Sequence, residues 1–234
     1  MHTIDKKVAK KVAIIQSNYI PWVGYFAMIA AVDLFVVYEC VQYTKNDWRN
    51  RNQILSNDGR LTWLSIPIRH HNKNQSFMDT LVANSDWAYL HFNTIRHHFA
   101  RTPGWTKWCN QIESLYKSAA TMTHLFEINR LFLNWSIRAL GVSTPLLYLD
   151  SYPTFKNPNE RLISILKDLK ATEYLSGPAG QNYIQPNIFL NSKIDLNYAN
   201  YDQLIDSVLV EKKNIKKTSI IQFLIEGKHE FRCN

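Results

Sequence analysis

Residues 12–52 decide the fold, and they read V-A-I-I-Q-S-N-Y-I-P-W-V-G-Y-F-A-M-I-A-A-V-D-L-F-V-V-Y-E-C-V-Q-Y-T-K-N-D-W-R-N-R-N. The short, β-branched run from Val12 to Ile15 predicts a buried strand. Pro21 suits the first turn of a helix, so the segment from Trp22 to Val32 is predicted to be helical. Leu34 to Tyr38 has the nearly continuous apolar character of a strand that is covered on both faces. Strand, helix and strand together predict a βαβ unit.

Polar side chains follow both predicted strands. They are Gln16, Asn18 and Tyr19 after the first strand, and Glu39, Gln42 and Lys45 after the second. In parallel sheets, ligands bind in the crevice beyond the carboxyl ends of the strands, so we expect the two groups to face one site. The aromatic and basic run that follows extends this expectation to Trp48, Arg49, Asn50 and Arg51. The alternative is that these polar side chains only cap helices and turns.

The remaining chain alternates between helical and mixed segments. Gln53 to Pro67 is predicted to form a hairpin around the turn sequence Asn57-Asp58-Gly59. Residues 85–141 predict three helices, the last of which ends at Gly141. Further strands are expected at 145–149, 172–175 and 194–198, with a helix ending near Lys170 and a terminal helix over 218–226. The expected fold is a three-layer α/β sandwich with a mostly parallel central sheet, Rossmann-like or nucleotidylyltransferase-like, and a helical insert.

These elements predict three consecutive parts of one domain. Residues 1–84 hold the βαβ unit and the hairpin, residues 85–141 form the helical insert, and residues 142–234 complete the α/β domain. In the last part, a glycine-containing loop follows a predicted strand and places Gly177, Gly180 and Gln181 where a ligand could approach the backbone closely. The loop lacks the glycine and lysine order of a phosphate-binding P-loop.

Composition indicates a globular protein with a basic surface. Of the 234 residues, 46% are hydrophobic and 20% are charged, which suffices for a sizeable core. The net charge of +8 favours anionic partners such as nucleotide phosphates. No nucleic-acid-binding motif accompanies the charge, so we expect no nucleic acid as a partner. No apolar run approaches the length of a membrane span, so stable membrane insertion is not expected either.

The cysteines favour a reducing compartment. Cys40, Cys109 and Cys233 form no C-x-x-C pair and are odd in number, so neither a disulfide framework nor a bound metal is expected. The N-terminus lacks the pattern of a signal peptide. Together these features predict a cytoplasmic protein; they leave its oligomeric state open.

The chain resembles a known family. The runs Q-S-N-Y-I-P-W-V-G-Y-F, D-L-F-V-V-Y-E-C-V-Q-Y-T-K and W-R-N-R-N-Q-I, with E-R-L-I-S-I-L-K-D-L-K-A-T-E-Y-L-S-G-P-A-G-Q-N-Y nearer the C-terminus, are similar to the signature of WbqC-like proteins. This family occurs in bacterial gene clusters for O-antigen and other surface polysaccharides. Two positions depart from its pattern: Ser17 stands where the family usually has proline, and Cys40 where it usually has a second acidic residue.

The resemblance implies a transferase that attaches an acyl or aminoacyl group to the amine of a nucleotide-linked amino sugar. The acyl donor would be a carrier-protein thioester or coenzyme A, and an acyl carrier protein would then be a partner. Glu39 is the candidate general base, while Gln16 and Asn18 are candidate donors to an oxyanion. The expected substrate-binding residues are Tyr19, Trp22, Gly24, Tyr25, Gln42, Lys45, Trp48, Arg49, Asn50, Arg51, Arg161, Gly177, Gly180, Gln181 and Tyr183.

Three alternatives stay open. The P-x-x-G-Y sequence around Gly24 resembles nucleotidylyltransferase-type sheets, which would favour an ATP-dependent, adenylate-forming amide ligase. Those enzymes carry a histidine where this chain has Tyr25. Cys40 could carry the acyl group, although no histidine lies beside it in the sequence. Finally, the protein could bind nucleotide sugars without catalysis, in which case Glu39 would only accept hydrogen bonds.

Overall fold

The computed structural model describes residues 10–56, 58–70, 74–210, 217–228 and 230–232. Asn57 of the predicted turn and Cys233 lie outside the described residues. Within the described part of the chain, no helix is both long and apolar enough to cross a membrane.

A five-stranded, all-parallel sheet forms the centre of the protein. Its strands, in chain order, are β1 (Lys11–Gln16), β2 (Leu34–Tyr38), β5 (Leu146–Leu149), β6 (Glu173–Ser176) and β7 (Asp195–Tyr198). They are arranged in the order β5-β2-β1-β6-β7, so the chain first builds outward from β1 in one direction and then in the other. This order is that of a doubly wound fold, whose ligand crevice lies where the winding direction reverses. Here the winding direction reverses between the neighbouring strands β1 and β6.

Helices cover both faces of the sheet, which confirms the predicted three-layer α/β architecture. On one face, α1 (Val23–Ala30) and α7 (Tyr201–Val208) pack in the same apolar cluster as Ala13. On the other face, α5 (Pro158–Asp168) and α6 (Pro186–Asn191) pack with Val12 and Ile14. Successive strand side chains point to opposite faces, so a continuous apolar strand supplies both layers at once.

Three long helices form the predicted helical segment. They are α2 (Asp86–Phe99), α3 (Trp105–Ala119) and α4 (Leu125–Leu140), and α4 ends as predicted at Gly141 in the left-handed conformation, with φ 71°. A terminal helix, α8 (Ile220–Glu226), packs against α2 and α3. All four share one apolar cluster with α1 and one face of the sheet. The division of the chain into three parts stays a prediction.

The hairpin forms a small separate sheet. Its strands are β3 (Arg51–Leu55) and β4 (Leu61–Ser65), which pair antiparallel with Gln53 opposite Trp63. The first strand begins two residues before the predicted start at Gln53, because the pairing with β4 extends to Arg51, which stands opposite Ser65. The helices α6 and α7 were not predicted from the sequence. The glycine-containing loop after β6 includes a 3₁₀ helix over Pro178–Asn182.

Gly104 allows the end of α8 to approach the start of α3. Its N–H donates to the carbonyl of Ile225 at 3.0 Å, and a Cβ atom there would lie 2.4 Å from the carbonyl oxygen of Leu224. We expect Gly104→Ala to lower the free energy of unfolding by about 1–3 kcal/mol, because backbone atoms cannot move aside as a side chain can. Denaturant unfolding measures this. Gly177→Ala is the control, since its Cβ would meet atoms only at 3.7 Å. Equal stability of the two variants would contradict the close-approach argument.

Candidate functional site

A cavity of about 1040 Å³ opens at the carboxyl edge of the sheet, beside the gap between β1 and β6. Its wall includes the end of β1, the chain after β2, the start of the hairpin, the start of α5 and the turn after β6. The cavity therefore lies at the switch point that the strand order defines. Its volume is at the upper end of the range that small-molecule sites usually have.

Eleven of the residues predicted to form the site line this cavity, although they come from four separate parts of the chain. They are Gln16, Asn18, Trp22, Tyr25, Gln42, Trp48, Arg49, Arg161, Gly177, Gly180 and Tyr183. Of the polar residues expected to face one crevice, Gln16, Asn18 and Gln42 line this cavity, whereas Tyr19, Glu39 and Lys45 do not. Whether these residues bind a ligand stays a prediction.

Seven other predicted residues lie outside the wall. Glu39 and Tyr19 are fully buried in the interior. Asn50 bonds within the protein, where its amide donates to the carbonyl of Ile66 at 2.8 Å. Arg51 lies on β3, and Gly24 lies within α1. Lys45 and Gln181 are exposed side chains that do not contact the cavity.

The loop after β1 is held in place by the run from Trp48 to Asn52. The Trp48 carbonyl accepts from the N–H of Tyr19 at 3.0 Å. The buried amide of Asn52 donates to the carbonyls of Tyr19 at 3.2 Å and Ile20 at 2.8 Å. Ile20 has φ 38°, a left-handed value that is costly for a β-branched residue and persists only where its surroundings enforce it. The hydrogen bonds from the Asn52 amide hold the backbone of Ile20 in this conformation.

Arg49 connects this loop to the cavity. Its guanidinium donates to the Ser17 carbonyl at 3.2 Å and to the side-chain oxygen of Asn18, and it lies 3.5 Å from the Asp47 carboxylate. Its own carbonyl accepts from Asn129 of α4 at 2.9 Å. Burial lowers the pKa of Arg49, and Asp47 opposes that shift, so the side chain stays a cation. The Nε–H of Arg49 is buried and has no hydrogen-bond partner among the described residues.

A second arginine approaches the cavity from α5. Arg161 donates to the Tyr152 carbonyl at 3.1 Å and lies over the ring of Tyr38, 5.3 Å from its centre. Its Nε–H is likewise buried without a partner in the described part of the chain. Buried donors are nearly always satisfied in proteins, so the hydrogen bonding of both arginines is incomplete within the described part of the chain.

Aromatic rings form much of the remaining wall. Trp22 packs edge-on against Tyr201 with 5.1 Å between ring centres, and a Cβ at Gly24 would lie 2.3 Å from the Trp22 ring. Gly24 therefore leaves room for the indole instead of lining the cavity itself. A Cβ at Gly180 would lie 2.2 Å from Oγ of Ser176, so a larger residue there would require the Ser176 side chain to move.

Glu39 is paired with Arg130 of α4. Nε of Arg130 donates to Oε2 of Glu39 at 2.8 Å, and Nη2 donates to the same oxygen. The guanidinium also lies 3.8 Å from Asp150 and packs over the rings of Phe126 and Tyr148. Burial raises the pKa of the Glu39 carboxyl above its ordinary value, and the hydrogen bond from Arg130 opposes that shift. Glu39 thus fastens α4 to the end of β2, at a position that does not line the cavity.

Tyr19 belongs to a buried hydrogen-bond network. Its hydroxyl lies 3.0 Å from Nδ1 of His91 and 2.9 Å from the hydroxyl of Tyr116. The backbone of Ser65 bonds to the histidine as well. A neutral His91 that donates to the Ser65 carbonyl and accepts from Tyr19 satisfies every group, with Tyr116 donating to Tyr19. Burial lowers the pKa of His91 to about 4.

No carboxylate, histidine or cysteine is among the described residues that line the cavity. Its ionisable side chains are arginine, tyrosine and Lys217. Burial raises the pKa of Tyr38 to about 12, so that hydroxyl stays protonated and donates. Burial also raises the pKa of the Cys40 thiol, which lowers its thiolate fraction and disfavours a role as nucleophile. The described residues contain no group of three or more acidic, histidine or cysteine side chains that could hold a metal ion.

Some wall residues were not expected from the sequence. Tyr38 and Ser176 are the last residues of β2 and β6, and Asn52 and Gln53 directly follow the predicted site residue Arg51; these positions were the available signal. Tyr201 and Lys217 come from the C-terminal region, where no motif marked them. Arg130, which lies outside the wall, was also not identified from the sequence, because its partner Glu39 is 91 residues away.

The comparisons with known proteins agree with the resemblance in the sequence. The profile described as the WbqC-like protein family matches residues 16–230. An uncharacterised protein of Mycobacterium tuberculosis, Rv1507c, is 37% identical over 194 residues, which cover 82% of this chain and 83% of that protein. No solved structure matches the chain.

The Glu39–Arg130 pair predicts a non-additive effect on stability. Arg130→Met leaves a buried carboxylate without its partner, so we expect a loss of about 3–5 kcal/mol in the free energy of unfolding. The double variant Glu39→Gln, Arg130→Met removes that charge and should recover much of the loss. Denaturant unfolding of both single variants and the double variant measures the coupling. Additive losses would show that the two side chains do not stabilise each other.

The lowered pKa of His91 predicts that the free energy of unfolding decreases as the pH is lowered. The unfolded chain takes up a proton on this histidine near its ordinary pKa of about 6.5, whereas the folded protein does so only at about 4. Stability from the neutral ring is therefore complete above the unfolded pKa and declines as the pH falls toward the folded value. The decline attributable to His91 should total about 3 kcal/mol.

Urea unfolding of the unmodified protein and of His91→Gln, at pH 7 and at several pH values between the unfolded and the folded pKa of His91, isolates this decline. The free-energy difference between the two proteins should shrink across the window. His97→Gln, at an exposed position on the same helix, is the control and should follow the unmodified protein. A constant difference between the unmodified protein and His91→Gln would show that the ring does not change protonation on unfolding.

Proposed function

Because the chain belongs to the WbqC-like protein family, we propose that its cavity binds a nucleotide-linked amino sugar and that the protein transfers an acyl or aminoacyl group to the sugar's amine. The reaction would serve the biosynthesis of O-antigen or another surface polysaccharide. The observation that carries the proposal is the pair of arginines, Arg49 and Arg161, that line the cavity from two different segments of the chain.

Two guanidinium groups suit a diphosphate. Each arginine offers planar N–H donors that bind phosphate oxygens in bidentate fashion, and each keeps its charge at any relevant pH. Arg49 has Asp47 3.5 Å away, whereas Arg161 has no carboxylate within ion-pair distance among the described residues. Arg161 therefore keeps more uncompensated charge for an anionic ligand.

The rest of the wall suits the sugar and the base. A cavity of about 1040 Å³ has room for a nucleotide sugar. Trp22, Trp48 and Tyr183 offer ring faces for stacking, and Gln16, Asn18 and Gln42 offer amide groups for hydroxyls. Such a mixture of apolar rings with a few polar groups is typical of small-molecule sites.

The chemistry proceeds without a protein carboxylate in the cavity. Nearby cations and reduced solvation both lower the pKa of a bound amine, which favours its neutral, nucleophilic form. The amine nitrogen would attack the thioester carbonyl, form the amide C–N bond and break the C–S bond. The departing thiolate would take the proton that the nitrogen loses. Cavity amides such as Asn18 would donate to the oxyanion, while Glu39 would act structurally through Arg130.

A non-catalytic nucleotide-sugar-binding protein is the second candidate. The absence of carboxylate, histidine and cysteine from the described cavity wall favours it, since enzymes usually place an acid or base within reach of the reacting atoms. The adenylate-forming ligase is less favoured, because Tyr25 replaces the expected histidine and its hydroxyl donates to the Gln16 carbonyl at 3.3 Å. Product formation separates a transferase from a binding protein.

We expect Arg161→Met to weaken the binding of UDP- and dTDP-linked amino sugars by roughly 10- to 100-fold, since a charged hydrogen bond typically contributes ~1.5–3 kcal/mol. Methionine keeps much of the apolar stem of the side chain and removes the guanidinium that lies over the Tyr38 ring. Calorimetry measures the affinity, and Arg101→Met, at an exposed arginine outside the cavity, is the control.

Mass spectrometry of the same sugars, incubated with acyl-coenzyme A or an acylated carrier protein, tests the transfer. A mass increase equal to the acyl group supports the transferase. Tight binding without product from either donor would support the non-catalytic binding protein and contradict the transferase. Unchanged affinity in Arg161→Met would contradict the anion site.

A further inference from the structure

An aromatic surface continues from the cavity onto the outer face of the hairpin. Trp48 and Trp63 have ring centres 5.6 Å apart and planes inclined by 33°, and the Arg51 guanidinium lies 4.2 Å from the Trp63 ring centre. Gln53 stands opposite Trp63 in the strand pairing, so their side chains share one face of the hairpin. We call Trp48, Arg51, Gln53 and Trp63 the hairpin rim.

The rim is open to solvent at one end and joined to the cavity at the other. Trp48 is 44% exposed and Trp63 is 43% exposed, although large aromatic side chains are normally well buried. Trp48 and Gln53 also line the cavity. A ligand that fills the cavity can therefore extend onto the rim without crossing a protein barrier.

We propose that the hairpin rim binds the nucleobase of the ligand, so that the nucleotide-linked sugar lies with its base at the hairpin and its sugar toward the turn at Gly177 and Gly180. This inference rests on the proposed function, because it assigns an orientation within that site. Flat bases stack on indole rings, and the guanidinium of Arg51 extends the stacked surface.

The side-chain amide of Gln53 gives the rim a means of recognising the base edge. It has both a donor group and an acceptor, and the structure shows no hydrogen bond from it to any described residue. An amide can pair with the adjacent carbonyl and N–H of a uracil, thymine or guanine ring. Stacking supplies affinity for any base, whereas Gln53 supplies discrimination among bases.

The orientation agrees with the position of the charges. Arg49 follows Trp48 directly in the chain and both line the cavity, as does Arg161, so a diphosphate attached to a base on the rim would lie in a cavity that holds two guanidinium groups. The sugar would then lie against the wall formed by Gly177, Gly180 and Tyr183. A side chain at Gly180 would displace the side chains of Ser176 and Ile184, so glycine keeps this part of the wall close to the backbone.

Comparing ligands with and without a base tests this orientation. UDP, GDP and inorganic pyrophosphate would be titrated calorimetrically into the full-length protein and its variants. Trp63→Ala should weaken UDP and GDP binding by about tenfold, as loss of one base-stacking ring commonly does, and leave pyrophosphate affinity unchanged. Trp63→Phe should restore most of the nucleotide affinity. Tyr89→Ala, at an exposed aromatic residue on α2, is the control and should affect none of the three.

Two further measurements keep the test decisive if Trp63→Ala does not fold. Gln53→Leu should change the ratio of UDP to GDP affinity while pyrophosphate binding stays the same. In the unmodified protein, UDP should alter the tryptophan fluorescence and pyrophosphate should not.

Equal losses for nucleotides and pyrophosphate in Trp63→Ala, or no loss for either nucleotide, would overturn the assignment of the base while leaving the anion site intact. If the unmodified protein bound neither nucleotide nor pyrophosphate, the proposed function itself would fail.

Discussion

The Asn52 side chain makes the hydrogen bonds on which the geometry of the cavity depends. Its amide donates hydrogen bonds to the carbonyls of Tyr19 and Ile20, in the loop after β1. The φ angle of Ile20 is unfavourable for a β-branched residue. Without these bonds the buried carbonyls would lack donors, and the loop would relax toward an extended conformation. Asn18 precedes these two residues and Trp22 follows them closely, and both Asn18 and Trp22 form part of the cavity wall. One buried amide thus links the hairpin to the switch point of the sheet.

The fold was largely predictable because its signals are local. β-Branched apolar runs indicated the strands, and a glycine that can adopt a positive φ indicated the end of α4. The helix α7 was not predicted, since only four of its eight residues are apolar and its start depends on capping by the Asn200 side chain. The order of the five strands was not predicted; the sequence predicted only that β1 and β2 belong to one βαβ unit, and these two strands are parallel neighbours.

The candidate site was predictable only in part, because side-chain direction depends on distant partners. Residues beside strand ends, such as Gln16, Asn18 and Gly177, do line the cavity. Tyr19 follows Asn18 but turns inward to His91, 72 residues away. Glu39 directly follows β2 yet pairs with Arg130 in a different segment. No rule of spacing reveals such partners, whereas strand termini are visible in the sequence.

Two adjacent residues of α4 reach back to the βαβ unit: Asn129 bonds to the carbonyl of Arg49, and Arg130 bonds to Glu39. Contacts of such large sequence separation form only after a long loop has closed, which slows folding and places these contacts late. The cavity would then acquire its shape only once α4 has docked. The helical segment therefore supports the candidate site through side-chain contacts as well as covering one face of the sheet.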